Sequence, residues 1–199
     1  MDAIRPRLAV GDAGSGYTGA MRTMHWATAA LLFGPFLAAW AIGYASDADA
    51  DWIAMLHRSC GITILVTTLV RLAWRQWTVV PPLPADLSGV QRLAAKASVV
   101  ALYVLLATQP LLGLSGSMLQ GDPARVFGRL LLPMLLPINK PLAEQLFRVH
   151  GWTAMLLLAF IGAHVAAALH HHFIRRDSVL AGMLPTVLRR GSVPARRLP

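Results

Sequence analysis

Four stretches of about twenty mainly apolar residues divide this chain, and a lipid bilayer is the environment that suits all four. They run over about 24–45, 53–76, 97–119 and 150–172. A helix rises about 1.5 Å per residue, so roughly 20 residues cross a hydrocarbon core about 30 Å thick. Lipid offers no partner for backbone polar groups, so an isolated apolar run must satisfy its own as a helix. Hydrophobic residues make up 56% of the 199-residue chain and charged residues only 14%, a balance foreign to a water-soluble domain. The second stretch is the weakest because it contains Arg58 and Arg71. Both lie toward its ends, where long side chains reach the headgroups. The expected fold is all-α, an integral-membrane four-helix transmembrane bundle forming a single domain over 1–199.

Charge sets the expected orientation. Four spans place both termini on one side, and thirteen of the 18 Lys and Arg residues fall on that side. The positive-inside rule puts it in the cytoplasm. The first apolar run is too long for a cleaved leader and lacks a small-x-small exit, so it is expected to stay as the first helix. The net charge of +9 then follows from topology and attraction to anionic headgroups, and calls for no nucleic acid. Residues 46–51, with Asp47, Asp49 and Asp51, read as a short acidic outer loop. The inner connection "VVPPLPADLSG" is too proline-rich for a helix. The outer connection from Gln120 to Arg148 reads as irregular or short helical structure on the outer surface. The basic tail 175–199 is expected to be disordered.

Within this frame the histidines carry the chemistry. His150 and His164 are 14 residues apart on the fourth span, nearly on one helix face and about 21 Å apart along its axis. Direction of travel fixes the depth of the others. His25 begins the first span near the inner face, and His57 begins the second near the outer face. Equal depths pair His57 with His150 and His25 with His164. Two imidazoles facing one another at each of two depths suit two haem irons with no coordination position left open, an arrangement for electron transfer. Ionisable groups within lipid point to function by default. Zinc is the chemical rival, although neither pair has the neighbouring Cys or carboxylate that a zinc site commonly adds. No C-x-x-C-H run exists for covalent haem attachment. A phosphate loop, a nucleophile elbow and paired carboxylates are also missing.

The segments "MHW" (24–26), "HRSCGITIL" (57–65) and "HGW…GAHVAAALHHHF" (150–173) resemble the bacterial cytochrome b561 family across about residues 22–185. The resemblance implies a multi-pass protein of the bacterial inner membrane. It also implies two haem b groups, with His25, His57, His150 and His164 as axial ligands to the haem iron. Exchange of electrons with ubiquinone follows, and in one branch the oxidation of superoxide at the outer face. His171 is the implied quinone contact. His170 departs from the family's usual "A-H-H" pattern. An alternative function is an electron-relay or membrane-anchor cytochrome serving a soluble dehydrogenase or a periplasmic redox partner.

Other residues fit the same chemistry. Arg125, Arg129, Lys140 and Arg148 fall on the outer side and form an anion-guiding rim for superoxide, with Arg58 adding to them. The run His170–His172 follows the inner ligand by less than two turns and offers a proton route near neutral pH. Arg71 and Arg75 lie at that depth, suited to haem propionates, to quinone or to anionic lipid. Cys60 is the only cysteine, which excludes an intrachain disulfide, and beside Gly61 it reads as close helix packing. Pro35 and Pro110 are expected to kink their helices.

Overall fold

The structure, a computed structural model, describes residues 17–185. Four helices there are long and apolar enough to cross a membrane. They are α1 (Gly19–Ile42), α2 (Asp47–Trp77), α3 (Gly89–Gln120) and α4 (Lys140–His170). A two-stranded antiparallel hairpin, β1 (Arg125–Val126) and β2 (Leu130–Leu131), lies between α3 and α4. A π-helical turn, His171–Arg175, continues α4, and a short helix α5 (Val179–Met183) follows. Arg5, Arg7 and the tail beyond residue 185 lie outside the described residues; over 175–185 the expectation of disorder is corrected, because α5 and the contacts of Asp177 and Met183 order that stretch.

Local chemistry explains the boundaries. Thr18, Ser46, Ser88 and Asn139 each cap a helix by accepting a backbone N–H with the side chain. Ser88 and Gln91 form a reciprocal capping box. Gly121, with φ of 88°, closes α3 in the left-handed conformation, returning its N–H to Met118 and Ser117. Two expectations need correction. Residues 47–51 are the first turn of α2 and not a loop. Ser46 caps them, and the acidic Asp47 and Asp49 favour the positive end of the helix dipole. The outer connection also ends early, because α4 starts at Lys140, with Pro141 in its first turn. Lys140 and Arg148 are therefore helical.

The helices pack as two pairs, α1 along α2 and α3 along α4, joined by a smaller seam between α2 and α3. No comparable close backbone packing joins α4 to α1 or α2. The buried centre is Ile64, Leu105, Leu106 and Leu157, with Leu31, Leu32, Phe36, Leu102, Phe160 and Ile161 against it. Leu157 lies midway between His150 and His164 in sequence, so this apolar layer separates the two histidine depths. Phe33, Leu37, Val66, Leu69, Val100, Val104 and Leu158 are exposed around the outside, the pattern of helices solvated by lipid. Cys60 sits against Gly34, so close that a Cβ there would meet its sulfur at 3.2 Å, and this is where α1 and α2 approach.

The two ends of the bundle differ. At one end the described chain termini meet: Trp26 Nε1 donates to Met183 O at 2.7 Å, tying α1 to α5. At the other end the β-hairpin folds over α2. The Phe127 N–H donates to Ser59 Oγ at 2.8 Å, and Ser59 is fully buried two residues from His57.

Candidate functional site

The helix directions bring the histidines together in the two pairs that the sequence spacing implied. The structure brings His25 of α1 against His164 of α4 at the termini end, with ring centres 6.2 Å apart. It brings His57 of α2 against His150 of α4 at the hairpin end, with ring centres 6.0 Å apart. The ring planes in each pair are inclined by 67°. Two metal–imidazole bonds of about 2 Å, plus about 1 Å from each ligating nitrogen to its ring centre, put trans imidazole centres roughly 6 Å apart. Both pairs thus have the spacing of two ligands on opposite sides of one metal ion.

Hydrogen bonding leaves one nitrogen of each hairpin-end ring free. His57 Nδ1 lies 2.9 Å from Pro35 O, and His150 Nδ1 lies 3.0 Å from Gln109 O. A carbonyl only accepts, so each Nδ1 carries the proton and each Nε2 keeps a free lone pair. Metal-ligating histidines usually have their second nitrogen held in this way. A planar macrocycle also needs room beside α4, and α4 stands clear of close packing with α1 and α2.

The termini end adds a second sign of fit. Arg22 Nη1, His25 Nδ1, Thr68 Oγ1, Arg71 Nε and Tyr103 Oη are buried there without a hydrogen-bond partner among the described residues. The Arg71 guanidinium lies 5.3 Å over the Tyr103 ring. Buried polar atoms are nearly always paired, so a cluster of orphans, two of them cationic, suits an anionic group such as a carboxylate. Haem b, with two anionic propionates that accept hydrogen bonds, has the charge and acceptors that these residues could hold. Arg22, Thr68, Tyr103 and Gln109 were not legible as site residues, because their partners come from other helices. An arginine three residues before "HW" was the only available hint for Arg22.

Arg125, Arg129, Lys140 and Arg148 are all exposed, on the hairpin and on α4. Arg58 does not join them as a free cation. It donates to Asp122 at 2.6 Å, which neutralises it. The hairpin end as a whole carries as many carboxylates as cations, but Glu144 is the only carboxylate within 125–148. Positive charge is therefore confined to that segment.

The turn after α4 holds His171. Its Nδ1 lies 2.5 Å from Asp177 Oδ2, leaving Nε2 available. Arg175 pairs with Asp177 at 3.4 Å and with Asp86 of the α2–α3 connection at 2.5 Å. Burial opposes ionisation of Asp177. The His171 hydrogen bond outweighs it, with help from the Val179 N–H and Arg175, and holds the carboxyl below its ordinary range.

Residues 16–186 match the family model described as prokaryotic cytochrome b561. The chain is 34% identical to "Cytochrome b561 homolog 2" of Escherichia coli (strain K12), over 80% of this chain and 86% of that one. It is 29% identical to "Probable superoxide oxidase CybB" of Yersinia pestis, over 81% and 92%. It is 27% identical to "Cytochrome b561 homolog 1" of the same Escherichia coli strain, over 81% and 93%.

Proposed function

This chain belongs to the prokaryotic cytochrome b561 family, and from that premise we propose that it holds two haems and couples superoxide oxidation to ubiquinone reduction. Membership brings b-type haem binding and a place among multi-pass bacterial membrane proteins. The observation that carries the finer reading is the pair of facing imidazole sets at 6.0 and 6.2 Å, one at each depth. In it, His57 and His150 would hold one haem at the hairpin end, and His25 and His164 would hold the other at the termini end. Haem held by two imidazoles exchanges single electrons and keeps no open coordination position.

The protein's own groups divide the remaining work. With both termini in the cytoplasm, the hairpin end faces the periplasm. Arg125, Arg129, Lys140 and Arg148 then raise the local concentration of the superoxide anion. Arg22 and Arg71 would neutralise propionates at the cytoplasmic end, and the Tyr103 hydroxyl would donate a hydrogen bond to one. His171, with Nδ1 fixed by Asp177, presents Nε2 to a quinone oxygen and transfers a proton there. Two superoxide anions, one ubiquinone and two protons give two dioxygen molecules and one ubiquinol, which balances electrons and charge. Support for superoxide as the electron donor comes from the superoxide oxidase name of the Yersinia pestis relative and from the cationic segment 125–148.

Rapid mixing of the haem-loaded protein with superoxide tests the proposal. The expected result is fast Soret reduction, then reoxidation and ubiquinol formation on adding ubiquinone. Reduction that occurs only with a soluble protein donor would replace this reading with the electron-relay function.

A further inference from the structure

We propose that Gln109 of α3 is a positioning residue for His150 and sets the donor strength of that imidazole. The proposal rests on the reading of His150 as an axial ligand. It goes beyond that reading by identifying a neighbour on another helix that controls the ligand.

Gln109 grips His150 at two places. Its backbone oxygen accepts from His150 Nδ1–H at 3.0 Å. Its side-chain Nε2 donates to His150 O at 2.8 Å. A third bond holds the amide: the Thr153 hydroxyl donates to Gln109 Oε1 at 2.6 Å. The orientation of the amide follows, because a carbonyl must face the NH2 group and a hydroxyl proton must face the oxygen. Gln109 also precedes Pro110, whose ring lacks an N–H and crowds the preceding turn of α3. Gly113, one turn on, completes the seat. A Cβ there would stand 3.1 Å from His150 Cε1, tight enough to push the ring by a few tenths of an ångström, so the glycine lets the ring lie close against α3.

The other ligands lack this arrangement. His57 has the carbonyl of Pro35 for its Nδ1, with no side-chain clamp among the described contacts. His25 Nδ1 has no protein partner. An Nδ1–H held by a carbonyl makes the opposite nitrogen a stronger donor, which favours ferric over ferrous iron. The Gln109 amide, by locking α4 to α3 at this level, maintains that hydrogen bond. Loosening it weakens the donor and raises the potential at the hairpin end alone.

The test is a redox titration with EPR detection on the haem-loaded protein carrying Gln109→Leu or Thr153→Val. Gln109→Leu is expected to raise the reduced-to-oxidised ratio of the hairpin-end haem roughly two- to tenfold at fixed ambient potential, the range of one net hydrogen bond. That is a shift of about 20 to 60 mV for one electron. Its low-spin EPR signal should broaden, while the termini-end haem stays unchanged as an internal control. Thr153→Val should shift the same haem in the same direction by less. If both variants keep two haems and wild-type potentials and spectra, Gln109 has no positioning role, although ligation by His150 stands. Wild-type protein without haem would instead overturn the ligation reading itself. Should Gln109→Leu fail to accumulate, Thr153→Val decides by the same criterion.

Discussion

In the proposed function four imidazoles hold the haems, and each owes its place to the direction of its helix. His164 serves only the termini-end pair, and the apolar layer around Leu157 separates it from the other. His164→Ala is therefore expected to lower the haem content from two per chain to one, read by pyridine haemochrome. Unchanged content would end the proposed ligand assignment. The histidines were legible in the sequence because depth in a bilayer follows from position along a span. Gln109, Thr68 and Tyr103 were not, since a polar residue in an apolar run shows nothing of the neighbour that it meets. The Gln109–His150 contact joins residues 41 apart in sequence. Arg58 shows the converse: its place beside His57 suggested a free cation, and Asp122, 64 residues away, pairs with it.

Among the elements, the hairpin and the C-terminal turn hold the two ends of the site. The hairpin depends on Ser59, which donates to Met55 O at 2.7 Å and accepts the Phe127 N–H at 2.8 Å. Phe127 itself has φ of 48°, a left-handed conformation that a bulky residue holds only under external restraint. Ser59→Ala leaves that N–H without its acceptor and is expected to cost about 1–3 kcal/mol. Thermal unfolding in detergent measures the loss, and an unchanged midpoint would count against the anchor. At the opposite end Asp177 holds the turn after α4. Its folded-state pKa is lowered, so its contribution is complete above the ordinary value of 3.8 and fades as pH falls through the lower folded value. Asp177→Asn should therefore lower stability at neutral pH and remove this acid-dependent loss. Parallel pH curves for the two proteins would contradict it. The four spans were readable from apolar length, but the first turn of α2 was mistaken for a loop. The capping signal was present, Ser46 followed by Asp49 three residues on, and the density of acidic residues masked it.

Across the whole molecule, charge is sorted by end and by segment. The chain's charge of +9 is set largely by the termini side, while the hairpin side balances its signs except along 125–148. Neutralising Arg125, Arg129 and Lys140 together should slow reduction by superoxide at low salt and flatten its ionic-strength dependence. Steering by exposed charges decays over a Debye length of about 10 Å at 0.1 M salt. Equal rates for both proteins at low salt would remove steering from the mechanism. This asymmetry could be read from composition and span order alone. The spacing between helices could not, because it depends on how side chains fill or leave the space between them. The stand-off of α4 from α1 and α2 has a consequence for how the protein matures. A bundle closed on every side would have to come apart before accepting a flat pigment. Here α4 meets α1 and α2 mainly through side chains, which yield to a flat guest more readily than interlocked backbones do.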